Sequence, residues 1–239
     1  MPEKRALILA GGLGSRLRPL TFVIPKPLLP VGELPIIEIL IRQLAHHRVD
    51  RISIAVGRAG SLIQTYCGDG EPWGVHIDYL REEKPLGTAG PLGLLEPLAE
   101  DRLLVVNGDT LTDLDFGGLF ERHDPSDAMT VAVSRRDVEL RFGVAEADGE
   151  DRLVDYKEKP VLSYTAGMGV YVVTERARRE YLRAPEPIDM PELIQRLLRN
   201  DEVVRVVETD AYWLDVGHVE DLETAEAAVG DHPGRFLPD

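Results

Sequence analysis

A single cysteine, Cys67, stands in the sequence, so neither an intrachain disulfide nor a cysteine-rich metal site can form. Its helix-like surroundings make it a small core residue rather than a reactive thiol. No apolar run approaches the ~20 residues that cross a bilayer. The apolar run at residues 6–10 is too short for a signal-peptide core, and the cytoplasm is the expected compartment. Positive charge is also short. The net charge of −15 argues against a nucleic-acid polymer or an anionic membrane surface as partner. Internal repeats, low-complexity segments and any serine or cysteine constellation for covalent catalysis are absent as well.

What remains is a globular composition, 44% hydrophobic and 29% charged over 239 residues, suited to one large α/β domain with insertions. An acidic chain that handles phosphates must gather its cations locally. Of only five lysines, Lys26, Lys84 and Lys159 each precede a proline, and Lys157 lies two residues from Lys159. The residue before proline is pushed towards extended backbone. These lysines are therefore expected in loops or strand ends, where they can converge on a cleft.

Residues 9–30 organise the rest. The run Ala6, Leu7, Ile8, Leu9 fits a buried strand and empties into Ala10, Gly11, Gly12, Leu13, Gly14, Ser15 and Arg16. With few Cβ atoms in the way, successive amides can form an anion nest, and Arg16 adds a planar donor fork suited to phosphate oxygens. An ordinary strand-exit turn with a solvated arginine accounts for this segment equally well. A Walker loop is excluded, because Ser15 and Arg16 follow Gly14 where lysine and then serine or threonine are required. A dinucleotide fingerprint is excluded too, because Leu17 stands in place of its third glycine. Pro19, Pro25, Pro27 and Pro30 should keep the segment irregular and extended.

Downstream, Ile36, Ile37, Leu40, Ile41 and Leu44 recur at helical spacing behind Pro35. Strands are expected at 51–56, 75–80 and 103–106. Helices should begin at 61–66 and, opened by Gly87, Thr88, Ala89 and Gly90, in a further crossover. Alternating strands and helices predict a mostly parallel sheet. The strand at 103–106 ends in Asn107, Gly108 and Asp109, so Gly11 and Asp109 should reach the same carboxyl edge. Beyond Asp115 the pattern loosens. Strands are expected at 129–134, 142–146, 153–157, 169–173 and 203–207, and helices at 175–182, 191–199 and 219–229. Asp215, between Leu214 and Val216, marks another strand end.

The series Gly11, Gly12, Gly14, Ser15, Arg16, Leu17, Pro19, Leu20, Thr21, followed by Pro25, Lys26, Pro27, resembles the signature of sugar-1-phosphate nucleotidylyltransferases. The motifs sit nearest the guanylyltransferase branch that acts on mannose or heptose 1-phosphates. The resemblance implies an α/β fold, a Rossmann-like three-layer αβα sandwich with a mostly parallel mixed central sheet. Residues 1–115 would form a nucleotide-binding half, and residues 116–239 a sugar-binding half with a C-terminal helix. Many relatives append a left-handed β-helix; too few residues follow here for one.

The implied reaction joins a sugar 1-phosphate to a nucleoside triphosphate and releases pyrophosphate, supplying nucleotide sugars for polysaccharide synthesis. By the same resemblance Leu9, Ala10, Gly11, Gly12, Gly14, Ser15 and Arg16 bind the nucleotide, with Glu82, Gly87 and Thr88 at its base. Lys26, Gly143, Glu158, Lys159, Thr165 and Gly167 meet the sugar phosphate. Asp109 and Asp215 hold Mg2+, and Arg16, Lys26 and Asp109 carry the catalysis. Thr165 stands where relatives often have a sugar-contacting asparagine. An ionised Glu82 can accept from both N1–H and the exocyclic amine of guanine, whereas uracil and thymine offer one N–H between two carbonyls. Glu82 and Glu83 also read as a solvent-exposed acidic pair. Expected partners are therefore the two small-molecule substrates, with no nucleic acid and no membrane; a homodimer is allowed. UTP, dTTP or CTP with another hexose 1-phosphate is the nearest alternative. A regulator that binds nucleotide sugars without turnover is a more distant one, and such a binder need not keep Arg16, Lys26, Asp109 and Asp215 together.

Overall fold

The computed structural model describes residues 4–237 apart from 59, 99, 100 and 184. In chain order the elements are β1 (Arg5–Ala10), β2 (Pro30–Val31), β3 (Leu34–Pro35), α1 (Ile36–His46), β4 (Arg51–Val56), α2 (Gly60–Cys67), β5 (His76–Arg81), β6 (Arg102–Asn107) and β7 (Thr110–Thr112). There follow α3 (Phe116–Arg122), β8 (Met129–Glu139), β9 (Val144–Ala147), β10 (Leu153–Lys157), β11 (Val161–Thr174) and α4 (Glu175–Tyr181). The chain closes with α5 (Met190–Arg199), β12 (Val204–Glu208), β13 (Trp213–Asp215), α6 (Val219–Asp231) and α7 (Pro233–Phe236). Seven strands form the central sheet in the order β12-β8-β11-β6-β1-β4-β5. Only β11 runs antiparallel to its neighbours, so the sheet is mixed and mostly parallel, as expected.

Alternation along β1 builds the layers. Ala6, Ile8 and Ala10 face one side, where α1, α2, α3 and α6 cover them; Leu7 faces the other, against α4, α5 and residues 89–95. Both faces are apolar, which is why the central strands read as continuous hydrophobic runs. In α1 the predicted stripe of Ile36, Ile37, Leu40, Ile41 and Leu44 is wholly buried, each side chain contributing roughly 1.5–3 kcal/mol of transfer free energy. Cys67 lies in the same core, where burial pushes its thiol up to about 12, so it is the inert core residue its surroundings predicted.

Three expectations are corrected. Residues 15–28 are not extended: they coil into 3-10 turns at Ser15–Leu17, Leu20–Phe22 and Lys26–Leu28. The crossover opened by Gly87 is not an α-helix but a 3-10 turn, Gly90–Leu94. The carbonyls of Leu92 and Leu95 accept from the buried Arg178 guanidinium, on α4, at 2.9 Å each, while Leu95 N donates to Leu92 O at 3.4 Å within the 3-10 turn. Lys159, expected extended before Pro160, has a left-handed φ of 45°.

The second half departs further. β8 and β11 outrun the expected strands and pair out to Glu139 and Val161. With the β9–β10 hairpin they form an arm, residues 135–166, from which no side chain joins either hydrophobic core.

Candidate active site

The chain leaves β1 through α1 to β4 and β5, then returns to β1's other side as β6. That reversal beside β1 is a topological switch point, where loops at the carboxyl edge part to admit a ligand. The glycine loop after β1 and Asp109 after β6 both emerge there. Leu9, Gly11, Gly12, Glu82, Gly87, Thr88 and Asp109 line one cleft of about 260 Å3, together with Leu13, Pro85, Pro91 and Asn107. An adjoining cleft of about 290 Å3 shares Gly11, Leu13, Glu82 and Pro85 and adds Gly57, Arg58, Glu83 and Lys84. Glu82 is thus one of four residues common to both.

Glycine is required at several points here. A Cβ on Gly11 would sit 2.1 Å from Glu82 Oε1, so the carboxylate lies directly on the glycine. Gly57 and Gly108 lie where a Cβ would meet Gly11 O and Leu9 O, each at 2.8 Å. These two close approaches, with Asn107, were not anticipated; glycines directly after strand ends were the available signal. Gly14 takes a left-handed φ of 57°, and its carbonyl accepts from Thr21 Oγ1 at 2.7 Å and Leu17 N at 2.9 Å.

The Glu82 carboxylate cannot simply swing away. Its Oε2 accepts from Leu86 N at 2.9 Å. Burial holds its carboxyl above the ordinary value, partly offset by that bond. Gly11→Ala should therefore displace Glu82 and raise the KM for a substrate that fills this cleft about tenfold or more, with little change in melting temperature. Steady-state kinetics and thermal denaturation check this; an unaltered KM would show that the carboxylate moves freely.

Beside the cleft, three charged groups converge. Lys26 is nine-tenths buried; its Nζ contacts Asp109 Oδ2 and lies 4.0 Å from Asp215 Oδ1. Burial and the neighbouring Asp109 charge push Asp215's carboxyl above its ordinary range, while Lys26 and Arg16 pull the other way. Arg16 reaches this side of the loop, its guanidinium 3.4 Å from where a Cβ on Gly217 would lie. The two aspartates are held by a ribbon in which β13 pairs antiparallel with β7, Asp215 opposite Thr110, and Val216 N donates to Asp109 O at 3.1 Å. An ammonium between two carboxylates marks a place for cationic charge, so the pair fits a hard divalent ion. Among the described residues no group of three or more metal-ligating side chains forms. An ion here would complete its shell with water and substrate phosphate, as magnesium does.

The other candidates are placed as follows. Ala10's side chain is buried in the core and leaves only its backbone at the edge. Ser15 is exposed at the start of the first 3-10 turn, and Arg18 lies 4.9 Å above the Phe22 ring. On the arm, Gly143 abuts Tyr156 and Glu158, and the Tyr156 hydroxyl lies 3.4 Å from Glu158 Oε2. Thr165 and Gly167 sit on β11 opposite Arg135 and Val133. Lys159 is exposed, and no contact brings it to the cleft. Lys84 lines the second cleft and Lys26 contacts Asp109, which lines the first, so the lysines before proline do not gather on a single cleft. A larger hollow of about 570 Å3, lined by Lys4, His47, Arg48 and Asp115, opens beside the start of β1 and shares no residue with this constellation. Among the described residues no helix is long and apolar enough to cross a membrane.

Comparison with known proteins adds four observations. The profile of the family described as Nucleotidyl transferase matches residues 5–232. A UTP–glucose-1-phosphate uridylyltransferase from Synechocystis sp. is 30% identical over 237 residues, covering 91% of this chain and 61% of the relative. A mannose-1-phosphate guanylyltransferase from Mycobacterium tuberculosis is 32% identical over 232 residues, covering 93% of this chain and 63% of the relative. The chain thus spans a little over three fifths of the length of these relatives. Among solved structures, a Bacillus anthracis chain described as a glucose-1-phosphate thymidylyltransferase, in complex with sucrose, superposes with a TM-score of 0.75 at 28% identity, covering 95% of this chain and 96% of that one.

Proposed function

Because this chain belongs to the nucleotidyl transferase family, we propose that it joins a sugar 1-phosphate to a nucleoside triphosphate, with GTP as nucleotide and mannose 1-phosphate or a manno-heptose 1-phosphate as acceptor. The observation that carries this reading is the single edge at which the glycine loop and Glu82 line one cleft while Lys26, Asp109 and Asp215 meet beside it. The acceptor's phosphate oxygen attacks the α-phosphorus, the α–β bridging bond breaks, and its electron pair leaves with pyrophosphate. Such transfer asks chiefly for in-line positioning and neutralised charge.

Backbone amides of the glycine loop hold the triphosphate, and Arg16 faces the departing pyrophosphate. Lys26 leaves its carboxylate partners to meet the α-phosphate or the incoming sugar phosphate. Glu158, Gly143, Thr165 and Gly167 on the arm would receive the sugar, with Lys159 meeting its phosphate. Asp109 and Asp215 would hold Mg2+, which when bound supplies further neutralisation of phosphate charge.

Pyrophosphate release across a panel of four nucleoside triphosphates and several sugar 1-phosphates tests the reading. Greatest kcat/KM with GTP and a manno-configured acceptor is expected. The similarity to a uridylyltransferase favours UTP with glucose 1-phosphate as the second reading. No turnover with any pair would leave a binding protein.

Glu82 carries the base preference. Glu82→Gln should lower the ratio of GTP to UTP kcat/KM about tenfold, since the variant loses an anionic acceptor for guanine. The preference requires the ionised form, and burial has raised that carboxyl. It should therefore be lost on acidification at a higher pH than an ordinary glutamate would titrate, and be flat with pH in the variant. Measuring both ratios against pH checks this; an unchanged ratio places base choice elsewhere.

A further inference from the structure

The Gly87–Thr88 turn is shaped from outside itself, by α5 and the segment before it. Three successive amides of the turn donate across the chain: Thr88 N to Asp189 Oδ1 at 3.0 Å, Ala89 N to Ile188 O at 2.9 Å, and Gly90 N to Ile188 O at 3.1 Å. In return, Ile188 N donates to Leu86 O at 2.9 Å and Met190 N to Thr88 Oγ1 at 2.7 Å. Space is equally tight, since a Cβ on Gly87 would lie 2.6 Å from both Asp189 Oδ1 and Ile188 O.

Asp189 occupies the N-cap of α5, where an aspartate ordinarily accepts from the helix's own first turn. It makes no such bond. The roles are exchanged: the Thr88 hydroxyl accepts from Met190 N at the start of α5, and the aspartate accepts from the Thr88 amide. Asp189 is the one side chain of α5 or its cap that takes a backbone amide of this turn.

This exchange orients a peptide plane. In a trans peptide the N–H and C=O point in opposite directions. Pinning Thr88 N–H on Asp189 therefore turns the Gly87 carbonyl away from α5. Gly87 and Thr88 line the nucleotide cleft, and no residue of α5 does.

We propose that Asp189 is a positioning residue for nucleotide selection, fixing the Gly87–Thr88 peptide so that its carbonyl is presented to the base. The proposal rests on the reading that this cleft takes the nucleobase. It assigns to the second half of the chain a direct hand in choosing the nucleotide, since Asp189 is 101 residues from Thr88.

Asp189→Ala should raise the dissociation constant for GTP about tenfold, narrow the GTP-to-UTP ratio, and leave the sugar 1-phosphate KM and kcat within about twofold. Asp189→Asn retains Oδ1 as an acceptor and should restore most of the loss. Hydrogen exchange at the amides of residues 88–90 should quicken in the alanine variant and remain slow in the asparagine one. Calorimetric titration with GTP and with UTP supplies the affinities whether or not turnover is observed. Glu82→Gln is titrated alongside. If it shifts the ratio and Asp189→Ala does not, the proposal is overturned while the base-site reading stands. If only Asp189→Ala shifts it, the proposal stands and the role of Glu82 falls. Equal losses for GTP, UTP and sugar phosphate, or the same loss in the asparagine variant, would also overturn it. Should the alanine variant fail to fold, Asp189→Ser, which offers α5 an N-cap acceptor of its own while withdrawing Oδ1 from Thr88 N, is titrated in its place with the same readings.

Discussion

On the proposed reaction, replacing Asp109 with asparagine should lower turnover about a hundredfold or more, the size expected when a carboxylate that positions a catalytic cation is neutralised. Asparagine keeps the shape of the side chain and leaves the bond from Val216 N to the residue's own carbonyl. The ribbon of β7 and β13 therefore survives, and only charge is lost. Two consequences separate this from a folding defect. The melting temperature should change little, and the Mg2+ concentration giving half-maximal rate should rise. Pyrophosphate release at saturating substrates, read against Mg2+, measures both. A near-normal rate would remove Asp109 from the metal site.

Lys26→Met should be comparably severe, with kcat falling about a hundred- to a thousandfold, as for loss of a preorganised charge at a transferring phosphoryl group. Methionine fills the buried stem, whose Cβ packs 3.2 Å from where a Cβ on Gly14 would lie. The variant removes an ammonium that contacts Asp109 and approaches Asp215. Those carboxylates then face each other with less compensation, so Mg2+ should bind the substrate-free protein more tightly even as turnover collapses. Titration calorimetry with Mg2+ alone reads the first effect and pyrophosphate release the second. Unchanged Mg2+ affinity together with unchanged kcat would leave Lys26 a structural residue.

How much of this was legible depended on how far each feature reached along the chain. The strands Arg51–Val56 and Leu153–Lys157 were read to the residue, because local apolar or β-branched runs bounded by turn residues mark them. The glycine loop, Asp109 and Asp215 are legible for a related reason, since strand ends at the carboxyl edge are where this architecture places ligands, whereas Lys26 is marked by its place before proline and by the resemblance of its motif. Residues 87–94 look like a helix start locally and are overridden by Arg178, more than eighty residues away. β7 is too short to announce itself and exists by pairing with residues 213–215. α3 was missed because Gly117 and Gly118 weaken its first turn, although Asp115 caps it by accepting from Gly118 N at 2.8 Å. Gly57 needs to be glycine only because Gly11 O lies against it, and Asp189 matters to the turn at Thr88 only through the fold.

The arm of residues 135–166 is exposed for much of its length and joins neither core. Substitutions there meet little of the packing penalty that follows a change to a buried side chain. The residues proposed to receive the sugar can therefore drift while the sheet and the carboxylate pair stay as they are. On the proposed reading, acceptor choice would be free to diversify on one unchanged scaffold faster than the chemistry it serves, and an engineer seeking new nucleotide sugars would begin at Gly143, Glu158 and Thr165.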